Sequence, residues 1–108
     1  MDLYLDLQNA LEKLNISLKE RKKNGIKLAE AEKKYKVALR MEILKLRDEG
    51  VAVGVIDKIC YGIPSIAELR FDRDVAKTIY VANQEAINTY KLQIRIIQEQ
   101  INKELSNG

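Results

Sequence analysis

Residues that interrupt helices are crowded into one short stretch of this 108-residue chain. Gly50, Gly54, Gly62 and the only proline, Pro64, all fall within LRDEGVAVGVIDKICYGIPSIAELRF, residues 46–71. The segments on either side are dominated by Lys, Glu, Leu, Ile and Ala, which favour helix. A chain punctuated in this way reverses where the breakers lie and runs as a helical arm on each side. The sequence therefore predicts an all-α fold: a long antiparallel helical hairpin with a short helix at the turn, oligomerising into a helical bundle. As a single helical domain over 1–108, it divides into an arm at 2–49, a turn with a short helix at 50–64, and an arm at 65–106.

On the first arm Leu7, Leu11, Leu14 and Leu18 share one stripe, continued by Arg21, Gly25, Leu28, Glu32, Tyr35, Leu39, Glu42 and Leu46. Asn24-Gly25 is the weak point of this arm, but the strong helix formers that follow favour one continuous or kinked helix. A break there would give a three-helix bundle instead. Gly50 is placed to cap the arm in a left-handed conformation. VAVGVIDKICYG supplies a short helix over about 53–61, and Ser65 with Glu68 reads as a capping box opening the second arm. That arm carries Leu69, Arg73, Ala76, Tyr80, Asn83, Ile87, Tyr90, Ile94, Ile97 and Ile101 at alternating spacings of four and three, a coiled-coil seam about 60 Å long.

Setting Leu46 opposite Leu69 aligns the two seams so that Glu42 meets Arg73, Tyr35 meets Tyr80, Glu32 meets Asn83 and Gly25 meets Tyr90. A second apolar stripe, Ile43 on the first arm and Val75, Ile79, Ala82 and Ala86 on the last with Ile66 and Phe71 near the turn, is left over. Two helices touching along one line cover one stripe each, so this surplus predicts a homo-oligomer, in the simplest case a dimeric four-helix bundle.

Chemistry is sparse. The chain has no histidine and one cysteine, which leaves almost no ligands for a zinc or haem site, and no cofactor is expected. No nucleophile and base pair and no phosphate-binding glycine loop is present, so the chain is not expected to be an enzyme. Cys60, among Ile56, Ile59 and Tyr61, reads as inert core. No secretory segment or membrane-spanning run is evident, which predicts a cytoplasmic protein with no membrane partner. Nineteen basic and sixteen acidic residues give a net charge of +3, mostly as alternating charges on solvated helix faces.

Two basic groups stand out. Arg47, Lys58, Arg70, Arg73 and Lys77, with Arg40 and the ring of Tyr61, lie near the turn and the start of the last helix, where a phosphate-bearing ligand could be held. Pairing with Glu42, Asp48, Glu49, Asp72 and Asp74 is the structural alternative. Lys19, Arg21, Lys22, Lys23 and Lys27, opposed only by Glu20, form a run that suits either plain solvent exposure or nucleic acid. The short helix, turn and following helix also invite a helix-turn-helix reading in which Ser65, Glu68 and Arg70 face DNA; a second helix of forty residues and Pro64 in the turn weigh against it.

The runs LRDEGVAVGVIDKICYG, AELRFDRDVAKTIY and EAINTYKLQI resemble small helical accessory proteins of phages and prophages of Gram-positive bacteria, over roughly residues 31–97. The resemblance implies a phage-encoded protein of the host cytoplasm. Its leading implication is a non-enzymatic, oligomeric anti-defence protein that sequesters a nucleotide immune signal, held by the Arg47, Lys58, Tyr61, Arg70, Arg73 and Lys77 group. The alternatives are an accessory of phage DNA recombination or replication, using nucleic-acid contacts, and a protein-interaction module that inhibits a host factor.

Overall fold

The computed structural model describes residues 2–107 and contains three helices: α1, Leu3–Asp48; α2, Val53–Gly62; and α3, Pro64–Asn107. No strand occurs among the described residues. α1 passes through Asn24-Gly25 without interruption, so the three-helix alternative falls away. Its first turn is capped by Asp2, whose Oδ1 accepts from the Leu5 amide at 3.1 Å. In α3 the β-branched Thr78 and Thr89 fit the helix by folding their hydroxyls onto the carbonyls of Asp74 and Glu85, four residues back.

The reversal is made by very few residues. Gly50 has φ +83°, the one positive φ among the described residues. Its amide donates to the Arg47 carbonyl and the Val51 amide to the Leu46 carbonyl, both at 3.0 Å, which is the hydrogen-bond pair of a Schellman cap. α2 then begins at Val53. It ends at Gly62, and a single extended residue, Ile63 (φ −68°, ψ 125°), separates it from α3.

Pro64 causes this break. It has no amide hydrogen to continue α2, it pushes the residue before it out of the helical region, and its fixed φ suits the first position of a new helix. The Ala67 amide donates to the Ile63 carbonyl at 2.9 Å, which makes Ile63 the cap residue. The capping box expected from Ser65 and Glu68 is therefore not formed. Ser65 already lies inside the first turn of α3, two residues past the cap position.

Contacts divide the chain into two compact units: the segments up to Lys23 and from Tyr80 onward form unit 1, and Asn24–Ile79 forms unit 2. In unit 1 the helices run antiparallel, with Leu3 beside Gln100 and Glu104, and Ala10 beside Gln93 and Ile97. Its buried residues are Leu3, Ala10, Ser17, Asn83 and Ile87. Asn83 spends its amide on the Ser17 carbonyl at 3.1 Å, so the polar residue in the seam is satisfied. Asn83 was expected opposite Glu32; within unit 1 the residue it meets is Ser17.

In unit 2 the buried residues are Tyr35, Ile56, Cys60 and Ile66. α2 lays Ile56 and Cys60, one turn apart, against the end of α1, where the charge of Glu42 acts on the Cys60 thiol. Beyond the Ile63-Pro64 break, Ala31 and Lys34 share a hollow with Leu69 and Asp72, and Lys27 shares one with Phe71, Val75 and Ile79. The expected alignment sets Ile43 opposite Asp72, whereas Ala31 is found beside it, a slide of about three turns, or ~18 Å. Arg73, expected opposite Glu42, instead pairs with Asp74 and reaches the Tyr35 ring. Long side chains lean toward the N-terminus of their own helix, in opposite senses on an antiparallel pair, so this contact joins residues offset along the axis.

Every α3 seam residue named from sequence is buried or half-buried. On α1 all but two of the named stripe residues are also buried or half-buried, Leu18, Gly25, Glu32, Leu39 and Leu46 among them. The exceptions, Leu11 and Arg21, are exposed, while the small residues Ala10 and Ser17, outside the named stripe, are buried.

The two helix-breaking glycines of the turn separate cleanly by conformation. Gly50→Ala is expected to lower stability by about 1 kcal/mol, because a Cβ there meets open space and only the left-handed φ opposes it. Gly54→Ala, in a helix and equally open, is expected to raise stability by about 0.5–1 kcal/mol. Urea unfolding of both variants measures the difference in sign.

Candidate functional site: an apolar furrow in unit 2

Three adjoining hollows in unit 2 share residues and form one furrow between α1 and α3. The first is lined by Glu30, Lys33, Lys34, Val37, Ala38, Met41 and Leu69, has a volume of about 560 Å³, and is almost wholly apolar in surface. The second shares Glu30, Lys34 and Leu69 with it and adds Lys27, Ala31 and Asp72. The third shares Lys27 and Asp72 and adds Asn24, Phe71, Val75, Ala76 and Ile79. Helical periodicity explains the grouping: Lys27, Glu30, Lys34, Val37, Ala38 and Met41 lie on the α1 flank beside the Tyr35 seam, and Asp72, Val75 and Ile79 on the matching flank of α3.

The furrow floor is greasy and its rims are charged. Met41 is 66% exposed and Phe71 64%, high values for side chains of their size. The α1 rim carries Lys27, Lys33 and Lys34 against one acid, Glu30; the α3 rim carries Asp72 and, one turn earlier, the exposed Glu68, with no base on that flank. One lip is basic and the other acidic.

Of the arginines expected to hold a phosphate, Arg73 and Arg70 make contacts within the chain and Arg47 is exposed. Arg73, 27% exposed, donates through Nε and Nη2 to Asp74 Oδ1 at 3.1 and 2.9 Å and stacks on the Tyr35 ring at 4.7 Å. Arg70 lies over the Tyr61 ring at 5.5 Å. Arg40, Arg47, Lys58 and Lys77 are exposed, and the structure brings Arg70 and Tyr61 of that group into contact. Of the five-residue basic run, Lys19, Arg21, Lys22 and Lys23 are exposed on α1 of unit 1; steps of about 100° per residue spread them round the helix. Lys27 belongs instead to the furrow of unit 2.

The furrow was only half visible in the sequence. Phe71, Val75 and Ile79 were read as an unpaired stripe, and they are exposed. Ile66 was assigned to the same stripe, yet it is 2% exposed and belongs to the core of unit 2. Val37 and Met41 were missed, although their four-residue spacing beside Tyr35 marks a flank position. Among the described residues no group of three His, Cys, Asp or Glu could hold a metal ion, and no helix is long and apolar enough to cross a membrane.

Cys60 is fully buried, and its thiol is raised above the ordinary value of 9.0 first by burial, then by the charges of Glu42 and Asp57. Thiol reagents are expected to modify it only after denaturant is added. Because the unfolded chain ionises at the lower pH, stability is expected to be intact below about pH 9 and to fall as pH rises toward the folded value. A Cys60→Ala variant losing that alkaline decline checks the assignment in urea titrations at several pH values.

No protein-family model, no curated protein and no solved structure matches the chain.

Proposed function

We propose that this chain is a non-enzymatic, self-associating helical accessory protein that works by occupying protein surfaces, in the phage setting that the sequence resemblance implies. The furrow of unit 2 carries the reading: it joins an apolar hollow holding exposed Met41 with Val37 and Leu69 to a second holding exposed Phe71 with Val75 and Ile79, through a middle hollow that also carries Lys27, Glu30, Lys34 and Asp72. Apolar surface of this kind marks a protein interface. A homo-oligomer that blocks a host factor is the activity these features suit.

A second reading, sequestration of a nucleotide signal, is supported by the Arg70 guanidinium lying on the Tyr61 ring, a cation and an aromatic face side by side on unit 2. Calorimetry against a panel of cyclic and ADP-ribose-type nucleotides decides it. Heat that is lost with Arg70→Ala supports sequestration, and no heat with any of them removes it.

For the leading reading, sedimentation velocity from about 1 to 100 μM is expected to show a species of at least twice the chain mass. A monomer throughout that range removes self-association.

A further inference from the structure

We infer that the unit-2 furrow is the seam of a homodimer in which α1 of each copy lies over α3 of the other. This rests on the self-association just proposed and assigns its surface, occupant and arrangement.

Two copies laid furrow to furrow can be related by a two-fold axis in the plane between them, and only two directions bury the whole strip. With the axis across the helices, each α1 lies on the other α1. Lys27, Lys33 and Lys34 then face the same lysines, and Asp72 faces Asp72. With the axis along the helices, each α1 faces the partner copy's α3, and the basic lip meets the acidic one. Lys34 and Asp72 line the same hollow within one chain, so they sit at the same height along the helices. A two-fold parallel to the helices preserves height, and Lys34 of each copy is brought to Asp72 of the other.

Charge selects between them: like charges opposed across an interface suppress the wrong pairing, and opposite ones support the right one. The furrow fits a second copy because each copy carries both lips. The isologous contact then repeats every favourable pairing twice.

The test uses two full-length variants, Lys34→Glu and Asp72→Lys, both changed at the furrow rim. In the proposed dimer each variant alone places two like-charged pairs across the seam, and its dissociation constant is expected to rise about tenfold or more. Mixed one to one, the variants form a heterodimer in which Glu at 34 meets Lys at 72 and Asp72 meets Lys34. Affinity is expected to return to within about threefold of the parent, and native mass spectrometry to show the mixed species in excess over either homodimer. Contacts within one chain cannot produce that rescue, because each chain keeps its own altered pair.

Phe71→Glu provides a second check, with loss of the dimer and unchanged helical circular dichroism expected. If the parent self-associates but neither the charge variants nor Phe71→Glu weaken it, the furrow is not the seam and self-association stands by another surface. A strengthened Lys34→Glu homodimer, or weakened variants with no rescue on mixing, overturns the α1-on-α3 arrangement. A monomeric parent overturns both this inference and the reading beneath it.

Discussion

The longitudinal register of unit 2 decides which residues share a surface, and one proline sets it. Pro64 forbids α2 and α3 from being one helix, yet only Ile63 lies between them. α2 therefore serves as the first segment of the returning limb, with Ile56 and Cys60 against the end of α1, and it is not a spacer inside the turn. Lys34 comes to lie beside Asp72, and Lys27 beside Phe71 and Val75, only because about ten residues of α2 have already been laid down along α1. Move the start of the return to Ser65 and the greasy residues of the two helices no longer meet in one strip.

The same arrangement decides what the charges can do. Arg73 lies in the seam of the helix pair, where Asp74 and the Tyr35 face hold it. A guanidinium committed to both an acid and a ring organises the fold, and drawing it to an external phosphate would break those contacts. On the furrow side the lysines and Asp72 flank exposed Met41, Phe71 and Val75. Charge around apolar surface is the makeup of an interface rim and core, in which the apolar strip contributes most of the affinity and the rim selects the partner. The proposed role follows from this division of labour between the seam and the furrow rim.

Much of the fold was legible because its signals are local. The α3 seam from Leu69 to Ile101 follows from spacing alone, Gly50 from the need for a positive φ after a helix, and Cys60 from its apolar neighbours. Register was not legible, since an alignment of two stripes accepts any shift that matches apolar with apolar. Gly54 and Gly62 look like turn residues in a list, but they are helical, and reading them as part of the turn moved the alignment by about three turns. On α1 the large leucines drew attention from Ala10 and Ser17. In that antiparallel pair Ala10 and Ser17 are buried alongside Leu3 and Ile87, because small residues allow the helices to approach. The candidate site suffered most: it depends on residues from two helices lying side by side, and that is the quantity a one-dimensional pattern leaves open.

Register is therefore where the account is most directly exposed to measurement. In a Cys60→Ala background, one variant carries cysteines at Ala31 and Asp72 and a second carries them at Glu42 and Arg73. A short bismaleimide crosslinker is applied to each at low protein concentration, and the products are resolved as single chains after denaturation. A crosslink within one chain for the first pair and none for the second is the result predicted here; the reverse outcome would contradict the register, the furrow and the role drawn from it.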